Sequence, residues 1–108
     1  MQGNINKYKV VTLCGSTRFE KEFRETQKRL TLQGYIVISV GVFKSDLADI
    51  ANQKDIEKIK LMLDDMHKRK IDMADSIYVI NVGGYIGDST RSEIEYAMRH
   101  GKEVKYLE

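Results

Sequence analysis

Short apolar runs alternate with helical patterns along this chain of 108 residues. The apolar runs are rich in β-branched residues and are bounded by turn residues, which is typical of buried strands. Four such runs are predicted to be strands: residues 8–14 (YKVVTLC), 35–40 (YIVISV), 77–82 (IYVINV) and 104–107. Nearly continuous apolar strands indicate a parallel sheet that is covered on both faces.

Three helices are predicted between these strands. The first begins at a T-x-x-E capping box formed by Thr17 and Glu20, and it ends at Gly34. The second covers residues 53–74, where apolar residues step by three and four positions: Ile56, Ile59, Leu63 and Met66. The third covers residues 90–100 and stops at a glycine. Between the second strand and the second helix, residues 41–52 show no period and are predicted to form a loop.

The order β-α-β-α-β-α-β predicts one α/β domain over residues 1–108, a flavodoxin- or Rossmann-like three-layer sandwich with a parallel sheet of four to five strands. Ligands of such sheets bind at the carboxyl ends of the strands, beside a topological switch point. Two loops meet this condition, residues 15–18 after the first strand and residues 83–89 after the third. We therefore expect chemistry where these loops meet.

Composition narrows the function classes. The 18 basic and 16 acidic side chains are interspersed, with a net charge of +2, which argues against a nucleic-acid partner. The single cysteine, Cys14, excludes an intramolecular disulfide and a CxxC metal site, and we interpret it as a small buried strand residue rather than a nucleophile. No run is long and apolar enough for a membrane span, and the polar opening MQGNINKYK does not resemble a signal peptide. We expect a soluble cytoplasmic protein with no membrane partner.

The first loop contains the sequence CGSTR (residues 14–18), at a strand-to-helix turn. Gly15 allows close approach of the backbone to a ligand, Ser16 offers a hydroxyl, and Arg18 can bind a phosphate through two hydrogen bonds. A structural interpretation is equally open, in which Thr17 caps the helix and Arg18 is solvated. The loop is neither a Walker A motif nor a GxGxxG motif, so no ATP or NAD cofactor is predicted.

The second loop leads into YIGDSTRSEIEYA (residues 85–97), where Thr90 and Glu93 form another T-x-x-E pattern. Capping alone would explain Glu93. Alternatively, a carboxylate in the first turn of a helix is expected to be held ionised by the helix dipole, and a fixed carboxylate at the bottom of a cleft suits covalent glycosyl transfer. Asp88 and Ser89 lie beside it in the sequence.

Four segments together resemble a known family: CGSTR (14–18), IDMADSIYVI (71–80), EIEYA (93–97) and GKEV (101–104). In this order they are similar to the nucleoside 2-deoxyribosyltransferase superfamily, which includes the 2'-deoxynucleoside 5'-phosphate N-hydrolases. The resemblance implies that Glu93 is the nucleophile and that Asp88 assists the leaving base. It also implies a homodimer whose active sites are completed across the subunit interface, and it implies neither a metal nor a cofactor. The residues expected to bind the substrate, in part through a 5'-phosphate, are Gly15, Ser16, Arg18, Ser89 and Thr90.

The sequence departs from the family pattern at two positions. Glu95 stands where a glycine is usual and is expected to face outward, about 200° around the helix from Glu93. His67 stands where the transferases carry an aspartate. It is either a filler at the edge of the core or a ligand of the sugar, phosphate or base. The pair Asp64–Asp65 is interpreted as part of a solvated helix face.

Two functions follow as hypotheses. The first is an N-glycosidase or N-deoxyribosyltransferase that acts on a nucleoside or its 5'-monophosphate, with Ser16 and Arg18 favouring a 5'-phosphate and hydrolysis. The second is a non-catalytic nucleotide-binding or regulatory module on the same scaffold. The sequence leaves open the base, the sugar, and the choice between hydrolysis and transfer.

Overall fold

The computed structural model describes residues 7–48 and 55–108. Its elements in chain order are β1 (Val10–Gly15), α1 (Glu20–Leu32), β2 (Ile36–Ile38), α2 (Lys44–Leu47), α3 (Ile56–Asp72), β3 (Ser76–Ile80), α4 (Asp88–Arg99) and β4 (Glu103–Tyr106). A turn of 3-10 helix, Val82–Gly84, connects β3 to α4. All neighbouring strands are parallel, in the order β2-β1-β3-β4. The predicted α/β fold with a four-stranded parallel sheet is confirmed.

The sheet separates two apolar clusters because successive strand residues point to opposite faces. Helix α1 covers one face, where the buried cluster comprises Val11, Leu13, Phe23, Leu30 and Ile80. Helices α3 and α4 cover the other face, where the buried cluster comprises Cys14, Ile71, Ile77, Val79, Ile94 and Ala97. This division follows from right-handed crossovers, since the chain leaves β1 toward one sheet edge and returns toward the other. The result is a three-layer sandwich.

Both predicted capping boxes are wrong. Helix α1 begins at Glu20 rather than near Thr17, and the Glu20 carboxylate instead accepts hydrogen bonds from Ser45 Oγ at 3.2 Å and from Arg24 Nε at 3.0 Å. Helix α4 begins at Asp88, with Gly87 in extended conformation at its N-cap and no side-chain cap. Because α4 starts two residues earlier than predicted, Glu93 lies in its second turn rather than in its first.

The predicted loop 41–52 contains the short helix α2. Residues 49–52 of this loop and the first two residues of the predicted helix 53–74 lie outside the described part of the chain. Asp46 stabilises the start of α2 by accepting a hydrogen bond from the Phe43 N–H at 2.9 Å. The Lys44 N–H donates to the Thr17 carbonyl at 3.2 Å, which fastens α2 to the loop after β1. Within residues 7–48 and 55–108, every helix is too short or too polar to cross a bilayer.

Candidate active site

The site begins at Gly15, where β1 and β3 end side by side. Gly15 has φ +150°, and a Cβ atom there would lie 2.8 Å from the Ile80 carbonyl oxygen. Only glycine therefore allows the two strands to approach this closely. The chain runs from β1 to β2 on one side, whereas β3 and β4 lie on the other, so this is the topological switch point of the sheet.

A cleft of about 450 Å³ opens above these strand ends. Every site residue predicted from the sequence lines it except Arg18. Helix α3 and the segment after β2 form the opposite wall. The lining residues are Gly15, Ser16, Thr17, Val40, Gly41, Val42, Leu47, Lys60, Leu63, Asp64, Met66, His67, Lys70, Tyr85, Gly87, Asp88, Ser89, Thr90 and Glu93.

Arg18 lies at the rim and is held by two neighbours. Its Nε donates to Ser16 Oγ at 3.1 Å, and its guanidinium lies 4.5 Å from the centre of the Tyr85 ring, with Nη2 3.4 Å from the Tyr85 hydroxyl. Ser16 Oγ also accepts the Arg18 backbone N–H at 3.3 Å. A hydroxyl that accepts two hydrogen bonds can still donate its proton to an anion. Ser16 and Arg18 thus form an ordered donor pair beside the cleft.

Glu93 is the sixth residue of α4 and lies at the bottom of the cleft, where it is partly buried. Burial raises the pKa of its carboxyl from 4.5 to about 7. The neighbouring Cys14 thiol opposes this rise, the Asp64 charge adds to it, and the Lys68 charge opposes it. The helix dipole was expected to hold Glu93 ionised, but Glu93 lies beyond the first turn, where the dipole is weak, and burial raises its pKa instead. Near neutral pH the carboxyl is divided between its two forms.

His67 lies between the cleft and the core, with 7% of its surface exposed. Its Nε2 is 3.0 Å from the Leu13 carbonyl oxygen and 3.5 Å from Cys14 Sγ. Because a carbonyl only accepts, this network assigns the ring proton to Nε2. Burial and the nearby charge of Lys70 lower the pKa of His67 to about 4, so the ring is neutral at pH 7. Nε2 is therefore engaged by the protein, and the predicted contact with substrate would have to use another edge of the ring.

Cys14 is completely buried, as predicted, and its thiol adjoins Glu93. Burial, together with the charge of the adjoining Glu93, raises the thiol pKa well above its ordinary value, so Cys14 is not an activated nucleophile. A sulfur, ring-nitrogen and carboxylate atom of Cys14, His67 and Glu93 all lie within 4.8 Å of one another, the spacing of a possible metal site. Zinc would need a thiolate and an unprotonated ring nitrogen. Nε2 of His67 already donates its proton to the Leu13 carbonyl and does not match that need, so we assign no metal here.

Several cleft residues were not predicted from the sequence. Tyr85 contacts Arg18, and its place within the glycine-rich loop was the available signal. Asp64 is exposed, as expected of a solvated face, but it also lines the cleft near Glu93, which only the packing of α3 against α4 determines. Lys60 and Lys70 line the same wall.

Glu95 is exposed, which confirms that it faces outward.

Comparison with protein-family models and with curated proteins found no match to this chain. The functional conclusion therefore depends on the residues of the cleft and on the resemblance of its motifs.

Proposed function

We propose that this protein cleaves the N-glycosidic bond of a nucleoside or deoxynucleoside, or of its 5'-monophosphate, through a covalent glycosyl intermediate on Glu93. The observation that carries the proposal is the position of Glu93. Its carboxyl lies at the bottom of the cleft at the switch point, between the loop after β1 and the start of α4. Resemblance of the four sequence segments to the nucleoside 2-deoxyribosyltransferase superfamily supports the same role.

The reaction would take two steps. A carboxylate oxygen of Glu93 attacks C1' of the sugar while the C1'–N bond breaks, and the bonding electron pair leaves with the base, which takes a proton from Asp88 or from water. Water then attacks C1', loses its proton to the same acid–base group or to solvent, and releases the sugar with Glu93 as a carboxylate. If a ring nitrogen of a second base attacks instead, the result is transfer of the sugar.

The divided protonation of Glu93 has a consequence for this chemistry. Only the ionised carboxylate can attack C1', and its pKa of about 7 means that the active form increases through neutral pH. A desolvated carboxylate is also a stronger nucleophile than a hydrated one, since no water shell must be removed before attack. Burial therefore reduces the ionised fraction but favours the reaction of that fraction.

A 5'-phosphate would bind at the Ser16–Arg18 donor pair. The Arg18 guanidinium is already oriented by Ser16 and Tyr85, so less side-chain freedom is lost when an anion binds. The first turn of α4 also faces the cleft through Ser89 and Thr90. Because its N-cap residue is Gly87, no side chain caps the first N–H groups of α4, and these groups can bind an anion. Both features favour a monophosphate over an uncharged nucleoside.

A non-catalytic nucleotide-binding module is the second candidate. One observation favours it: a carboxyl with a pKa of about 7 can also serve as a protonated hydrogen-bond donor to a bound base. The variant Glu93→Gln separates the two functions, because an amide keeps the shape and a donor but cannot attack C1'. The enzyme loses base release with ligand affinity nearly unchanged, whereas a binding module has no base release to lose.

The proposal includes a homodimer. Helices α3 and α4, whose residues line the cleft, expose several large apolar side chains: Leu61, Met62, Met66 and Met98. Met73, directly after the end of α3, is exposed as well. A second subunit that covered part of this surface would also narrow the open cleft. Sedimentation velocity at micromolar concentration should show a dimer, and a monomer under those conditions would contradict this part of the proposal.

The test of the proposed function is release of free base, followed by chromatography. Ribo- and deoxyribonucleosides and their 5'-monophosphates are each incubated with wild-type protein, with and without an acceptor base. Glu93→Gln is the test variant, and Glu95→Gln, exposed on the same helix, is the matched control. We expect release that requires Glu93 but not Glu95. Nucleotide binding without release from any substrate would favour the binding module.

A further inference from the structure

We propose that Cys14 and His67 are positioning residues for Glu93: His67 Nε2–H donates to the Cys14 sulfur, and the Cys14 thiol proton is thereby directed onto the Glu93 carboxylate. The proposal deepens the proposed function, in which Glu93 is the nucleophile. The three groups come from β1, α3 and α4, so the arrangement connects the end of strand β1 to the two helices that line the cleft.

The direction of each hydrogen bond follows from what each atom can do. The Leu13 carbonyl, 3.0 Å from His67 Nε2, can only accept, so Nε2 carries a proton. The sulfur of Cys14, 3.5 Å from the same nitrogen, shares this proton as the second and weaker acceptor and uses a lone pair to do so. The thiol proton must point elsewhere, and the Glu93 carboxyl lies within 4.8 Å of the sulfur. Donation to Glu93 is the arrangement that satisfies all three groups.

Burial keeps these roles fixed near neutral pH. The Cys14 thiol stays protonated and the His67 ring stays neutral, because the pKa of the thiol is raised and that of the ring is lowered. A hydrogen bond from the thiol favours the ionised form of Glu93 against desolvation. Cys14 and His67 therefore act on the orientation and ionisation of Glu93 without touching the substrate.

Other charged groups also face Glu93 and must be separated from this effect. Asp64 and Lys68 on α3 act in opposite directions on its pKa. Lys60 and Lys70 line the same cleft wall, and Asp88 lies on its own helix. None of these groups carries a sulfur-bound proton, so a signal from the thiol itself isolates the proposed hydrogen bond.

The experiment uses the S–H stretching band in the infrared spectrum, because Cys14 is the only cysteine of the chain. In wild-type protein the band should shift to lower frequency as the pH rises through about 7, when Glu93 ionises and accepts a stronger hydrogen bond. The variant Glu93→Gln should lack this shift. A wild-type band that does not move across neutral pH would overturn the proposal. The measurement needs no turnover, so it can fail or succeed independently of base release.

Three variants add a second test, in which isotope-edited infrared spectroscopy follows the ionisation of Glu93. Cys14→Ala removes the donor and should raise the midpoint by about half to one pH unit, since a thiol is a weak donor. Cys14→Ser keeps a donor and should hold the midpoint of Glu93 ionisation at or below the wild-type value. Serine and alanine both reduce the side-chain volume, so the comparison of these two variants separates the loss of the donor from the loss of volume. His67→Phe should shift the midpoint upward, and combining it with Cys14→Ala should add little. Equal midpoints for the alanine and serine variants would overturn the proposal.

Discussion

Glu93→Gln should stabilise the protein at neutral and alkaline pH but not at acidic pH. The ionised carboxylate at the bottom of the cleft is desolvated, and its pKa is raised from 4.5 to about 7 by folding. Below the unfolded value the group is protonated in both states and costs nothing. As the pH rises toward the folded value, the unfolded chain releases a proton that the native protein retains, so native stability falls. The glutamine side chain does not ionise, so the stability of the variant does not fall in this way as the pH rises.

The size of the effect follows from the two pKa values. At 1.36 kcal/mol per pH unit, the interval from 4.5 to about 7 corresponds to about 3 kcal/mol. The variant and the wild type should therefore have nearly equal free energies of unfolding at about pH 4, and the variant should be about 3 kcal/mol more stable above about pH 7.5. A difference of this size is a large part of the stability of a small domain.

The measurement is urea unfolding of both proteins at a series of pH values, with the free energy extrapolated to water. Glu95→Gln is the control, because its solvated position on the same helix should give a difference within about 0.5 kcal/mol at every pH. A Glu93→Gln difference that is constant with pH, or that grows toward acidic pH, would refute the reasoning about the buried carboxyl.

Three further changes test the cleft. Gly15→Ala should destabilise the fold by about 1–3 kcal/mol in urea unfolding, since its Cβ would lie 2.8 Å from the Ile80 carbonyl oxygen at φ +150°; an unchanged midpoint would contradict the need for glycine. Asp64→Asn should shift the rising limb of the pH profile of kcat/KM to lower pH, because the Asp64 charge raises the Glu93 pKa. Asp65→Asn, at the adjacent exposed position, is the control and should leave that limb in place. Arg18→Ala should raise KM for a 5'-monophosphate about tenfold to hundredfold and leave the matching nucleoside nearly unaffected; equal losses for both substrates would argue against phosphate recognition.

The sequence was sufficient to predict the layers of the fold. Apolar strands separated by amphipathic helices leave few arrangements other than a parallel sheet covered on both faces. The strand order β2-β1-β3-β4, which places β1 beside β3, comes from the structure, because right-handed crossovers are compatible with other orders. The position of the cleft followed from the same topology. Gly15 was predicted to allow a ligand to approach the backbone closely, whereas in the structure it allows β1 to approach the Ile80 carbonyl oxygen at the end of β3.

The electrostatics of the site could not be predicted in the same way. The T-x-x-E pattern suggested that Glu93 lies in the first turn, whereas α4 begins at Asp88, after an extended Gly87. Glu93 lies beside Cys14 and His67, which come from distant parts of the chain. Local patterns contain no information about such packing. The sequence therefore predicted an ionised carboxylate, whereas burial in the structure raises its pKa.

The central claim is that Glu93 carries the sugar during the reaction. The most direct measurement is denaturing quench of the wild-type protein during turnover of its best substrate, followed by mass spectrometry of its peptides. The account predicts the added mass of the sugar, or sugar phosphate, on the peptide that contains Glu93, and none in Glu93→Gln. A stoichiometric burst of free base with the sugar on another residue, or on none, would contradict it.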